Sequence, residues 1–442
     1  VICTGDPRDE RLRALDRERV AAARLARRPL RLLVLLCGPG LLVMLGENDG
    51  PSMLSYATTG ATYGVGFFVP FVVLTFVMAY VVQEQTLRLG IASGRGHAAL
   101  IDERFGAWWG RFAAGDLLVG NFLTLVTEFV AVSAGARYFG IDPRWAVTAA
   151  VAVVLGALAA RRYRAWERTV LCLALGNLLF VPAALFAHPD FSGVGRSLLT
   201  WGPLHAHDRA GFITLIMADI GATVTPWMLF FQQSAVVDKG LVRADLRYAQ
   251  IDTAIGTAVA ALVAICAIVA TAPLFAHGID GSRFTGAADF ATALRPYIGR
   301  PGAALLALGM IEAGLVAAMT ISTSWSYAAG EIRRRGASLN LDFTSGRSFY
   351  LSSAALVTCA AAVVLIPGAP LLTIALAVNV IATLFMPPAL LFIVLLANDR
   401  HVVGDLANTR LSNLAIVAVL AAITIVGGVY SWTVLAQLAA GR

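Results

Sequence analysis

The chain has 442 residues, 58% of them hydrophobic and 14% charged, with a formal net charge of +7. Soluble domains carry about 25% charged and about 45–50% apolar residues, so these proportions exclude a water-soluble multi-domain protein and place most of the chain in lipid. The positive charge does not point to nucleic acid, because the arginines cluster in alternate loops as a membrane topology requires.

At about 20 residues per helix plus short loops, the length fits roughly ten to twelve spans. Residues 1–29 are polar and arginine-rich and read as a cytoplasmic basic segment. The apolar run that follows is too long for the h-region of a cleavable signal, so the first span is expected to double as the insertion signal. Eleven spans are predicted, at residues 31–63, 66–88, 112–138, 145–160, 168–187, 210–240, 251–276, 303–330, 349–367, 371–397 and 410–437. Residues 30–187 and 210–397 would form two inverted repeats of five spans, joined by an external loop at 188–209 and followed by a loop and the eleventh span at 398–442. The loops Arg88–Arg104, Arg161–Arg168, Lys239–Arg247, Arg333–Arg347 and Asp399–Arg410 are all basic. They set the amino terminus in the cytoplasm and the carboxy terminus outside, in a multi-pass cell-membrane protein. Cys3, Cys37, Cys172, Cys266 and Cys359 form no CxxC pair or Cys/His spacing, and are expected to be small buried hydrophobes.

Two spans are interrupted. The first carries Gly46-Glu47-Asn48-Asp49-Gly50-Pro51-Ser52 inside an apolar run, and the sixth carries Gly221-Ala222-Thr223-Val224-Thr225-Pro226-Trp227. Proline removes a backbone donor and glycine tolerates non-helical dihedrals, so both should unwind there. Unwound backbone at membrane depth persists only where it is buried in protein or lines a cavity, and matched breaks in two halves point to a transporter. A carboxylate at the midplane costs at least about 2.5–3.5 kcal/mol, so Asp49 asks for a reason. The reading adopted is that Asp49 binds a cation together with carbonyls of Gly46 and Ala222, with Thr225 facing them. The bland alternative is a re-entrant loop tip with solvated acids. Every donor in the breaks is oxygen, which suits Mg²⁺ and Ca²⁺, tolerates Mn²⁺ and also fits Na⁺.

The stretches Gly38-Pro39-Gly40 to Tyr63-Gly64, Leu89-Gly90-Ile91-Ala92-Ser93-Gly94-Arg95, Gly221–Ser234 and Asn379–Pro388 resemble, in order and spacing, the first helix, the loop after helix two, and the sixth and tenth helices of the natural resistance-associated macrophage protein (Nramp) family. The resemblance runs from about residue 30 to 397. It implies an all-helical LeuT-type fold that carries a divalent metal ion by alternating access. The family's Asp-Pro-Gly-Asn falls on Asp49-Gly50-Pro51-Ser52, its Met-Pro-His on Thr225-Pro226-Trp227, and its tenth-helix glutamine on Asn379. The thioether and the histidine are therefore missing. With Gln232 to Gly240, this combination is similar to prokaryotic Nramp-related magnesium transporters, whose wider site holds a largely hydrated Mg²⁺. The implied cargo is Mg²⁺, with Mn²⁺ second. Asp49, Ser52, Gly46, Ala222, Thr225 and Asn379 would hold it, and Glu47 and Asn48 would hold its outer water.

Further acids lie within spans. Glu128 would belong to an ion path or be structural. Asp219 would line the vestibule or pair with a buried arginine, and Glu312 would be functional or a hydrogen-bonded structural acid. Trp227 cannot relay a proton, so transport is expected without proton coupling. His205, His207 and Asp208 resemble a metal cluster, but a solvated loop is the expected reading. Rival functions are a sodium-coupled carrier of organic solutes, with Trp227, Phe230 and Phe231 lining its pocket, and a non-transporting receptor. No Ser/His/Asp order or phosphate loop suggests an enzyme, and no resident cofactor is expected beyond the transported ion. The partners are the ion and the lipid bilayer; the oligomeric state is not legible.

Overall fold

The computed structural model describes residues 6–202, 209–281, 284, 286–334, 336–366 and 371–439, and all regular elements among them are helical. A polar helix α1 (Pro7–Leu25) comes first, capped by Asp6, whose side chain accepts from the Arg8 amide. The first span then falls into three pieces, α2 (Pro29–Leu36), α3 (Pro39–Gly46) and α4 (Gly50–Tyr63). The break at residues 47–49 was expected. The 53° bend between α2 and α3 was not. Its cause is Pro39, which cannot continue a helix, behind Gly38 at φ 152°.

The chain continues through α5 (Phe68–Ser93), a short α6 (His97–Phe105), α7 (Ala107–Tyr138) and α8 (Pro143–Leu158). The fifth span is α9 (Tyr163–Ala174), a 3₁₀ turn at Leu175–Leu179 and α10 (Phe180–Phe186), followed by a short α11 (Phe191–Thr200). The sixth is split into α12 (Arg209–Gly221) and α13 (Pro226–Asp238), as Pro226 at the start of α13 dictates. Then come α14 (Leu246–Ala276), α15 (Ala287–Ile332, kinked at Gly299), α16 (Arg347–Val364), α17 (Leu371–Asn398), the single turn α18 (Arg400–Val403) and α19 (Arg410–Ala439). Each of the eleven predicted spans holds helix. Among the described residues, nine helices are long and apolar enough to cross a bilayer, or ten with the bent pair counted as one. α8, with 16 residues, is shorter.

The interrupted helices occupy the middle. α4 packs on α14, α7, α15 and α12, and α13 packs on α5, α15 and α3. Among the described residues, α7 and α15 make the most extensive helix contact. α19 lies at the periphery against α17, α12 and α5. Cys172 and Cys359 are exposed on the outer surface rather than buried, because an apolar run in lipid need not face the core; Cys37 is partly buried, Cys266 is buried, and Cys3 lies outside the described residues.

The basic loops meet on one face. Arg8 donates to the Arg161 carbonyl, Arg164 pairs with Asp16, Arg24 with Asp245, Arg104 with Asp399, and Arg334 with Asp102. These contacts join α1 to the loops after spans four and six, and α6 to the loops after spans eight and ten.

Candidate functional site

The break between α3 and α4 is shaped by its own residues. Asp49 is the N-cap of α4, and its Oδ1 accepts from the Ser52 amide at 2.8 Å. Gly50 has no side chain to hold α7 away; a Cβ there would collide with Ala131. That close approach lets the Gly50 amide donate to Glu128 Oε2 at 2.9 Å. Two buried carboxylates, from α4's cap and from α7, thus share the positive end of one half-helix. The structure brings Glu128 to the break, a placement the linear sequence left open.

The second break lies beside the first. Thr225 caps α13 and its hydroxyl donates to Glu47 Oε2 at 2.8 Å. The Trp227 ring sits against Gly46, with Thr320 of α15 on the same side. Asn48 Nδ2 donates to the Ala260 carbonyl on α14 at 3.1 Å. The Ala222 carbonyl accepts from the Tyr56 hydroxyl at 2.9 Å. Gly221 packs on the Asn379 carbonyl, which brings α17 to the same place. Glu47, Asn48, Asp49, Ser52, Ala222, Thr225, Trp227, Glu128 and Asn379 are all buried.

Their hydrogen bonds do not close. Glu47 Oε1, Asn48 Oδ1, Ser52 Oγ and Glu128 Oε1 are buried oxygens without a protein partner, and so are the donors Trp227 Nε1 and Asn379 Nδ2. A buried polar atom left without a partner costs about 1–3 kcal/mol, so these six atoms at two helix breaks have hydrogen-bonding capacity that a water or another polar guest can meet. Among the described residues, no group of three or more His, Cys, Asp or Glu side chains is close enough to cage an ion directly.

Other expected residues lie elsewhere or are already paired. Asp219 on α12 accepts from Ser55 at 2.6 Å and from Thr59 at 3.1 Å, both hydroxyls of α4, and not from an arginine. Glu312 on α15 accepts from Asn177 of the 3₁₀ turn, through both carboxylate oxygens at 3.1 Å. His205, His207 and Asp208 lie outside the described residues. Sequence reasoning missed Tyr56, Thr320 and Ser324, whose hydroxyl donates to the Trp227 carbonyl at 3.0 Å. Ordinary residue types on a helix give no signal of a partner on another helix. It also missed His97 on α6, whose ring donates Nδ1–H to Gln233 Oε1 at 3.0 Å, because the Gln233 amide is committed to the Arg95 carbonyl. Burial pushes His97 down to about 4, against the hydrogen bond it donates to Gln233, so the imidazole is neutral at physiological pH.

Known proteins share this architecture. The solved manganese transporter of Eremococcus coleocola, in complex with an aromatic bis-isothiourea compound, superposes with a TM-score of 0.73 at 18% identity, over 90% of this chain and 86% of that one. MhsT in complex with L-phenylalanine gives a TM-score of 0.57 at 14% identity, over 89% of this chain and 97% of that one. These likenesses establish the LeuT-type fold. In sequence, the chain is 28% identical over 397 residues to the divalent metal cation transporter MntH 1 of Pseudomonas aeruginosa, covering 86% of this chain and 88% of the relative. It is 29% identical over 302 residues to MntH of Yersinia pestis, covering 66% and 71%. Residues 40–433 match the family described as natural resistance-associated macrophage protein-like, and the chain belongs to that Nramp family.

Proposed function

We propose that this protein imports a divalent metal cation by alternating access, with Mg²⁺ as the preferred cargo and Mn²⁺ second. The observation that carries this is the set of four unpaired buried oxygens on Glu47, Asn48, Ser52 and Glu128, gathered with Asp49 at the breaks. Relatives named for divalent metal cations support the class of cargo. Thr225 stands where a thioether would favour softer metals, which supports a hard ion. Mg²⁺ dehydrates reluctantly and usually keeps several waters, and coordinated waters present O–H donors outward. Unpaired acceptors spread over three elements suit such a hydrated ion better than a bare one. Asp49 supplies the charge, Ser52, Thr225 and Asn379 line the site, and Glu47 and Asn48 accept from its waters.

The basic face is assigned to the cytoplasm, which places the amino terminus inside and the carboxy end of α19 outside. The driving force is the ion gradient and membrane potential. At about 2.3 kcal/mol per charge per 100 mV, a divalent ion gains roughly 4.6 kcal/mol on entry. No histidine lies in either break, so no side chain there titrates near neutral pH in its ordinary state. An organic-solute carrier is not favoured, since the relatives are named for divalent metal cations and two carboxylates at the breaks, Glu47 and Glu128, carry unpaired oxygens.

The test is uptake into proteoliposomes offered Mg²⁺, Mn²⁺ and Ca²⁺ in turn, and an amino-acid mixture as control. Saturable Mg²⁺ entry, competed by Mn²⁺, is expected. Entry of amino acids without metal would overturn the assignment.

A further inference from the structure

Two oxygens that would ligate a bare ion already accept a hydrogen bond from the protein, and the proton of a third is committed. Asp49 Oδ1 holds the Ser52 amide, the Thr225 hydroxyl donates to Glu47, and the Ala222 carbonyl is held by Tyr56. The last contact, like that of Thr225 with Glu47, joins the two interrupted spans. Its donor is the hydroxyl of a fully buried ring on α4, and its acceptor lies at the second break. A carbonyl freed by helix unwinding is the hardest neutral ligand at such a site, and here a phenol spends its only proton on it.

We propose that Tyr56 is a specificity-determining residue: by donating to the Ala222 carbonyl, it takes one of that oxygen's two lone pairs, weakens it as a direct ligand and so favours a divalent cation that keeps its water. The inference rests on the reading of the site as one for a divalent ion. With the carbonyl weakened as a ligand, the oxygens that remain unpaired can receive hydrogen bonds from a water shell. An ion that must shed water to bind gains little in exchange. Mg²⁺ sheds water most reluctantly and loses least from this arrangement, whereas Mn²⁺ and Ca²⁺ accept protein oxygens more readily and would gain most from a freed carbonyl.

Tyr56→Phe removes the hydroxyl and keeps the ring. In proteoliposomes, the ratio of kcat/KM for Mn²⁺ to that for Mg²⁺ is expected to rise about three- to tenfold, the range of one hydrogen bond. A brace between half-helices, with no part in selectivity, would instead change both ions by the same factor, and that result overturns the proposal. Absence of metal uptake by the parent would sink the transport reading itself, a separate outcome. A second readout is the number of waters on protein-bound Mn²⁺, counted by electron paramagnetic resonance in ¹⁷O-enriched water. The variant is expected to hold Mn²⁺ with fewer waters than the parent; an equal count contradicts the proposal. Tyr56→Leu, which also lacks the hydroxyl, carries the same expectations if the phenylalanine variant does not purify as a folded protein. The parent alone is decisive too: bound Mn²⁺ already stripped of most of its water overturns the assignment.

Discussion

Two regions of this protein bury many polar groups, and they treat them in opposite ways. On the basic face, Arg13 of α1 donates to Asp9 at 2.8 Å, to the Val237 carbonyl at 2.8 Å and to Asp238 at 3.1 Å. Asp238 also accepts from Tyr327 at 2.7 Å, Ser338 at 2.6 Å and the Leu339 amide at 2.9 Å. Lys239 bridges Glu167 at 2.8 Å and the Cys37 carbonyl at 2.6 Å, and Asp252 takes the amides of Gly38, Gly40 and Leu41. The start of half-helix α3 is thus tied to α14, α13 and α9. At the breaks one α3 length away, buried oxygens go without partners. The network of Arg13, Asp238, Lys239 and Asp252 is closed by protein partners and fixes structure, whereas the oxygens at the breaks have capacity left for a polar guest.

The sharpest way to break this comparison is at Asp49. Asparagine caps a helix as well as aspartate does, so Asp49→Asn keeps the structural role and removes only the charge. Uptake is expected to fall by at least about 100-fold with folding intact, the scale of one lost charge-assisted contact. A variant with parental flux would show that Asp49 is a cap and nothing more.

The paired region should respond through stability. Arg13→Ala leaves Asp238 and Asp9 buried without their cation, which should cost about 3–5 kcal/mol. Denaturation of the purified protein measures it, and affinity for the metal should change far less than stability does. Equal stability would show that α1 is a passive appendage.

His97 gives the same face a pH signature. Its folded value of about 4 lies below the ordinary 6.5, so the unfolded chain binds the proton more readily. The contribution is complete above about pH 6.5 and is lost as pH falls toward 4, at about 1.4 kcal/mol per unit. The melting temperature should therefore drop between pH 7 and 5, and His97→Gln should flatten that drop. An unchanged slope in the variant would assign the acid sensitivity to other groups.

The smallest effect is expected at Thr225. Thr225→Met offers a soft ligand and should raise uptake of Mn²⁺ or Cd²⁺ relative to Mg²⁺ by several-fold, about 1 kcal/mol. A parent that already prefers Cd²⁺ would contradict the hard-ligand reading.

Much of this was legible in sequence because its causes are local. Pro51 and Pro226 remove donors where they stand, so both breaks could be placed without coordinates. Arginine clustering marked the loops that the structure joins on one face. The partnerships were not legible, since they depend on which helices meet. Glu128 was visible as an acid in an apolar span, but only Gly50's lack of a side chain brings it to Asp49. Asp219 and Glu312 were equally visible, yet one is satisfied by Ser55 and Thr59 and the other by Asn177. The second bend of the first span was written in Gly38-Pro39, a pair that also serves as the landing point of Asp252.

The central claim is that a divalent ion crosses through these unpaired oxygens without a proton relay. Proteoliposomes loaded with a pH dye, given an inward Mg²⁺ gradient and a clamped potential, test it most directly. The account predicts Mg²⁺ entry that rises with an inside-negative potential, is abolished by Asp49→Asn, and is not accompanied by stoichiometric acidification. Acidification in step with Mg²⁺, stopped by Glu128→Gln, would contradict it and make Glu128 the coupling group.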